Sequence, residues 1–286
     1  MTAQPDASIA QRFRRQMRLA SLLQGCLIVA LCVTLVVFYR GGRAWQIWTV
    51  LGLGAMAGLW IAMSWRTIKQ VRSARSSSTL LAQGQLEEAR RKLLQVLEGP
   101  SPLRSGKILA CHYLAVSAHL DSAYREAAII CRSLLRYRLG SMNSIATATR
   151  MVLADSLLML NDTAGAGPVV QAIQQSPLSL SDRMTMLPIE LRYQLAAGRS
   201  EQAVEDLTGK VKIAELLEAP GSALTHVLLA EACRRMDMPQ QQEYFLRRAR
   251  LLADVEPIVR KYHDLLNQVT PATSAPPPSP SPDSQA

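Results

Sequence analysis

Two long apolar runs open the chain, and a helical periodicity of apolar positions fills most of the remainder. Leu19 to Tyr39 is a stretch of twenty-one residues without a charge, and Ile47 to Trp65 is a second one of nineteen. At ~1.5 Å per residue each run reaches ~28–32 Å as a helix, which matches the ~30 Å of bilayer hydrocarbon. Both are predicted to be transmembrane helices. The first is too long for a signal peptide, and no small-residue cleavage motif occurs between it and Arg40. Tyr39, Trp45 and Trp48 fall near one expected interface and Trp65 near the other, where aromatic rings are favoured.

Within the second run Gly54, Gly58 and Ala62 recur every four residues and so share one helix face. Such a ridge of small residues lets another helix approach closely. The first run of the same chain is the expected partner, with dimerisation through the membrane as the alternative. No Gly or Pro occurs from residue 59 through 83, and Ile68, Val71, Leu80 and Leu81 keep a helical spacing. The second span is therefore predicted to continue into the first helix of the C-terminal domain.

From there the chain repeats itself. A turn and then an amphipathic segment place Ala89, Ala127, Ala166, Ala203 and Gln242 at equivalent positions, separated by 38, 39, 37 and 39 residues. A steady period in this range marks a helical repeat array. Leu114-Ala115, Leu153-Ala154 and Leu229-Ala230 stand about thirteen residues before three of these anchors. Small residues at such places let the two helices of a hairpin come close. Gly99-Pro-Ser-Pro102, Gly140-Ser141, Ser176-Pro177 and Pro220-Gly221 punctuate the units, which gives five helix-turn-helix units. Gly165, Gly167 and Pro168 are expected to shorten the second helix of the third.

These residues resemble the tetratricopeptide repeat superfamily: the Leu-Ala pair, a Gly- or Asp-type turn, Ala89, Ala127 or Ala203 opening the second helix, and Leu93, Cys131, Leu207 or Leu246 four positions later. The resemblance covers some 200 residues and implies an all-α solenoid that binds proteins. The chain departs from it in lacking the early Trp and the mid-helix Tyr and in a period longer than the family's. The layout is also similar to bacterial inner-membrane proteins that carry two spans and a cytoplasmic repeat domain. The expected organisation is thus a basic cytoplasmic N-terminus (1–18), a first span (19–39), a short extracytoplasmic loop (40–46), a second span (47–65), a repeat domain (66–269) and a disordered tail (270–286). Six Pro and four Ser in the tail leave it too little apolar area to order.

Charge fixes an orientation and excludes one class of partner. The formal net charge of +10 is concentrated in residues 1–75, which hold ten Lys and Arg and a single acid, Asp6. The remainder is almost neutral, so the basic balance does not point to nucleic acid. Arg12, Arg14, Arg15 and Arg18 precede the first span, Arg40 and Arg43 lie between the two, and Arg66, Lys69, Arg72 and Arg75 come after the second. This distribution predicts both termini in the cytoplasm.

Candidate chemistry is sparse. Cys26 and Cys32 lie in the first span, and Cys111, Cys131 and Cys233 are widely separated, with no C-x-x-C among them. They read as small core residues, which implies neither a metal nor a redox cofactor. His112 and His119 are seven apart on one helix face, and with His226 and His263 they read as surface or capping residues. No nucleophile elbow, P-loop or dinucleotide fingerprint is present. Glu87 and Glu88 read as helix partners of Arg91 and Lys92. Arg125, Arg132 and Arg136, and the cluster of Arg247, Arg248 and Arg250, read as solvated faces. The sequence therefore predicts no catalytic residue and no cofactor. It predicts a membrane-anchored scaffold for protein partners that are themselves membrane-associated, with a divergent subunit of a membrane enzyme or transport complex as the alternative.

Overall fold

The structure, a computed structural model, describes residues 5–40, 43–99, 104–137, 139 and 142–266. The tail 270–286, residues 1–4, and the punctuation at 100–102 and 140–141 lie outside the described residues, as do the side chains of Trp45 and Trp48. Every element among the described residues is an α-helix, so the all-helical expectation holds.

The chain divides into two compact units, Met1–Ser176 and Pro177–Ala286. The first carries α1 (Pro5–Arg40), α2 (Arg43–Ala82), α3 (Leu86–Glu98), α4 (Ser105–Leu120), α5 (Tyr124–Leu135), α6 (Asn143–Met159) and α7 (Thr163–Gln174). The second carries α8 (Leu180–Ala196), α9 (Ser200–Val204), α10 (Leu207–Ala214), α11 (Ala219–Arg235), α12 (Pro239–Leu252), α13 (Glu256–Lys261) and α14 (His263–Leu266). Helix α2 runs through residues 59–82 without a break, as the lack of Gly and Pro there predicts.

One turn closes five hairpins. Gly84, Ser122, Asn161, Gly198 and Asp237 all have positive φ, and their spacings of 38, 39, 37 and 39 residues repeat those of the anchors five positions further on. At each, the next amide donates to a carbonyl five residues back: Gln85 to Leu80, Ala123 to Ala118, Asp162 to Leu157, Arg199 to Gln194 and Met238 to Cys233, all at 2.7–2.9 Å. The left-handed residue itself donates to the carbonyl three back, at 3.1–3.2 Å. This pair of bonds is the Schellman ending, which satisfies carbonyls that a helix C-terminus leaves open. Five residues on, the anchor amide closes a bond to the carbonyl four back, so each anchor occupies one fixed position in the first turn of the second helix. Ala89, Ala127, Ala166 and Ala203 are all fully buried there, while Gln242 is half-buried. Leu114, Ala115, Leu153, Ala154, Leu229 and Ala230 are buried as well.

Two second helices depart from expectation. Helix α7 is uninterrupted over 12 residues, the same length as α5. Pro168 removes only the bond that would reach back to Ala164, close to the start, and the Asp162 carboxylate accepts from the Gly165 amide at 2.8 Å. The interruption falls in the fourth hairpin instead. Glu205 is extended and Asp206 is left-handed, so the helix ends at Val204 and restarts as α10 with Asp206 as its N-cap. The Lys210 ammonium donates to the carbonyls of Gln202, Ala203 and Glu205 at 2.6–3.0 Å and so satisfies the broken end.

The basic N-terminal segment is also more than a charge signal. Residues 5–18 are helical and continuous with the first apolar run. Ile9, Ala10, Phe13, Met17 and Ala20 form a helical stripe, and all are buried against the first unit. Phe13 meets the Tyr137 ring edge-on at 5.4 Å. Lys107, itself buried, donates to Gln16 at 2.8 Å, and Arg104 donates to Ser21 at 2.7 Å. The Arg12–Glu98 pair at 2.6 Å is exposed and adds little. On the second apolar helix Thr67, Ala74, Ser77 and Leu81 are buried in the same unit.

The second unit centres on α11, which packs against α8, α9, α10 and α12. Leu187, Leu191, Leu195, Val227, Leu228 and Phe245 belong to its core.

Candidate functional site

The surface changes character along α1 and α2. Among the described residues one stretch, Ile9–Val36 in α1, is long and apolar enough to cross a membrane. Beyond the docked stripe its side chains are uncovered: Leu22, Val29 and Val33 are exposed, Val29 by 62%. In α2, Leu51, Leu59, Trp60, Ile61 and Trp65 are exposed too, Ile61 by 67% and Trp65 by 73%. Contiguous exposed apolar surface of this kind marks a contact with lipid or another protein.

The ridge of Gly54, Gly58 and Ala62 is not where α1 packs. All three are exposed, and a Cβ added to Gly54 or Gly58 would meet no atom within 4 Å. It is Gly52, on another face, that approaches Thr34 of α1.

Basic side chains gather where the uncovered helices reach the packed unit. Arg14, Arg15 and Arg18, with Gln11 and Leu19, line a groove of about 290 Å³ on α1. Arg66 and Lys69, with Gln70 and Ser73 of α2 and Gln95 and Val96 of α3, line a larger one of about 460 Å³.

The interior of the first unit holds a polar ladder between α4 and α6. His112 Nδ1 lies 3.0 Å from Thr149 Oγ1, and His119 Nδ1 lies 2.9 Å from Ser156 Oγ. Thr149 and Ser156 each donate to the carbonyl four residues back, those of Ile145 and Val152, at 2.7 Å. Both rungs join positions 37 residues apart, close to one period. His119 also places Nε2 2.9 Å from the Asp155 carboxylate. A Ser, a His and an Asp in sequence of contact have the appearance of a nucleophilic triad, yet Ser156 is fully buried and its proton is engaged by the Val152 carbonyl. The arrangement ties two helices together. The surface reading of His112 is corrected: it is buried, and burial pushes its pKa down to about 4. The signal for the ladder lay in His112 and His119 seven apart, answered by Thr149 and Ser156 seven apart one repeat later. Burial raises the Cys111 and Cys131 thiols well above their ordinary range, which suits core packing and not reactivity.

The second unit buries His226 in the same manner. Its Nδ1 donates to the Ser222 carbonyl at 2.7 Å, its ring lies 5.9 Å from that of Phe245, and burial lowers its pKa. The Glu231 carboxylate is buried and held by Arg234 at 2.8 Å and Arg235 at 2.6 Å; Arg235 also donates to the Leu195 carbonyl at 2.8 Å. Arg192 stacks over Tyr262 at 4.8 Å. Of the arginine faces, Arg132 lies 3.8 Å from Asp162 and Arg248 lies 2.9 Å from Glu215. The Glu88–Lys92 helix pair forms at 2.8 Å. Among the described residues no group of three or more His, Cys, Asp or Glu could hold a metal ion.

No family model, no curated protein and no solved structure matches this chain.

Proposed function

We propose that this protein is a membrane-anchored scaffold. Two transmembrane helices, residues 19–39 and 47–65, hold an α-solenoid of five tetratricopeptide-like hairpins at the cytoplasmic face of the membrane, and the solenoid binds a protein partner that is itself membrane-associated. The observation that carries the reading is the change of surface along α1 and α2. Both helices bury one part of their length in the packed unit and leave the apolar remainder bare. Leaving such surface in water costs about 25 cal/mol per Å², whereas lipid covers it at no such cost. The recurring Schellman turns and the buried alanines support the repeat reading, since each hairpin needs a neighbour to cover its apolar face. The basic flanks support the orientation. Self-association of the anchor through Gly54, Gly58 and Ala62 belongs to the same reading, because that ridge is uncovered.

A reporter that is active only outside the cytoplasm tests the topology. Fused after residue 270 it should be silent, and inserted in the loop at 40–46 it should be active. Activity after residue 270 overturns the orientation.

A further inference from the structure

The two grooves at the level of the basic side chains differ in construction. The one on α1 is formed by a single helix. The one between α2 and α3 has two walls, with the Gln70 side chain between them. Arg66, Lys69 and Ser73 lie on one face of α2 at steps of three and four residues, opposite Gln95 and Val96 near the end of α3. The Gln70 side chain lies beside Gly99 and Gly106. A Cβ at Gly99 would collide with the amide nitrogen, whereas one at Gly106 would lie in ordinary contact with the same side chain. The glycine at 99 leaves room for the Gln70 amide beneath the groove.

Its charge is unbalanced. No acid lines it, and among the described residues neither Arg66 nor Lys69 has an ion-pair or hydrogen-bond partner. The nearby Glu98 is engaged by Arg12 at 2.6 Å. Two uncommitted cations also face the C-terminal turn of α3, whose carbonyls carry partial negative charge, so part of their role is to offset that end. The remaining positive potential, with hydroxyl and amide donors beside it, suits an anion of phosphate type.

Position selects the source of that anion. Arg66 is the residue after Trp65, and Ile68 beside it is 52% exposed, so the groove opens where the bare apolar part of α2 ends. On the membrane-anchored reading, on which this inference rests, that level is the headgroup layer. We propose that the α2–α3 groove binds the phosphate of an anionic phospholipid headgroup, with Arg66 and Lys69 as its cationic ligands and Ser73 and Gln95 as neutral donors. The site would fix the depth and tilt at which α2 enters the repeat domain.

The test uses the full chain taken from vesicles of equal phosphatidylcholine and phosphatidylglycerol into mild detergent, with retained lipid counted by native mass spectrometry. Retention of phosphatidylglycerol over phosphatidylcholine should fall about thirty-fold in the double variant Arg66→Gln/Lys69→Gln. It should stay within a few-fold of the parent in Arg72→Gln/Arg75→Gln, which removes the same charge outside the groove. Equal losses in both variants would reduce the effect to general attraction and overturn the site. So would displacement of the lipid by an excess of inorganic phosphate, which would assign the groove to a soluble ligand. A chain that resists alkaline carbonate extraction yet shows no preference for phosphatidylglycerol refutes the headgroup site alone. A chain that alkaline carbonate releases from the vesicles refutes the anchor itself, and the inference with it.

Discussion

Acidification should unlock the α4–α6 ladder, and His112 gives the size of the effect. Its folded pKa of about 4 lies below the unfolded value of 6.5, so between these limits the unfolded chain binds the proton and the folded chain does not. Stability therefore rises with pH through this window and is lost as pH falls through it. Linkage gives a loss of about 2 kcal/mol on going from pH 7 to pH 5 and about 3 kcal/mol by pH 4, with no further contribution well below that. Burial lowers the pKa of His226 as well, so acid acts on more than one group and the informative quantity is a difference between two proteins. In His112→Asn the side-chain amide can still donate to Thr149 Oγ1 but carries no proton equilibrium. Its absolute stability at pH 7 should be lower, because Asn fills less of the site. The assay is thermal unfolding of the full chain in a nonionic detergent, monitored by circular dichroism from pH 7 to pH 4.5. The parent should lose stability faster than His112→Asn across this range, by roughly 2 kcal/mol at pH 5. Parallel curves would show that His112 is solvated, and the buried ladder would be refuted.

Three further expectations concern the repeats and the docked N-terminus. Ser122 holds the left-handed turn position that Gly84 and Gly198 occupy elsewhere, so Ser122→Gly should stabilise the chain by about 0.5–1 kcal/mol, and Gly198→Ala should destabilise it by a similar amount, both read from denaturant midpoints. Ala203→Glu would bury a carboxylate at a helix crossing and should cost several kcal/mol; unchanged melting would refute the hairpin register. Phe13→Ala should cost about 3 kcal/mol and expose residues 5–20 to hydrogen exchange, whereas full protection in the variant would show that α1 does not depend on that ring.

The parts of the fold that are legible in the sequence are those that one residue type serves for one geometric reason. A helix crossing accepts Ala, and a Schellman turn accepts Gly, Asn, Asp or Ser, so both repeat with the same spacing and the spacing can be read directly. The break at Asp206 is not legible from periodicity, because the apolar pattern runs across it. Its mark is local: Asp206 and Gly209 copy the Asp162–Gly165 cap, which signals a helix start. Pro168 misleads because proximity to a helix start, and not the presence of Pro, decides the damage. In residues 9–20 the arginines dominate the pattern, although Ile9, Phe13 and Met17 already carry a helical stripe. The His ladder becomes legible only when the seven-residue spacing of His112 and His119 is matched to that of Thr149 and Ser156 one period later; the histidines taken alone show no partner.

On the proposed anchor, the bare apolar parts of α1 and α2 lie in lipid while the basic residues beside them lie at its surface. Nitroxide labels at Val29, Ile61 and Arg72, each placed singly in a cysteine-free chain reconstituted in vesicles, measure this by collision with oxygen and with a water-soluble nickel chelate. Labels at Val29 and Ile61 should collide with oxygen and be shielded from nickel, and the label at Arg72 should show the reverse. Nickel access equal at all three positions would mean that α1 and α2 are covered by water or protein and not by a bilayer, and would contradict the account.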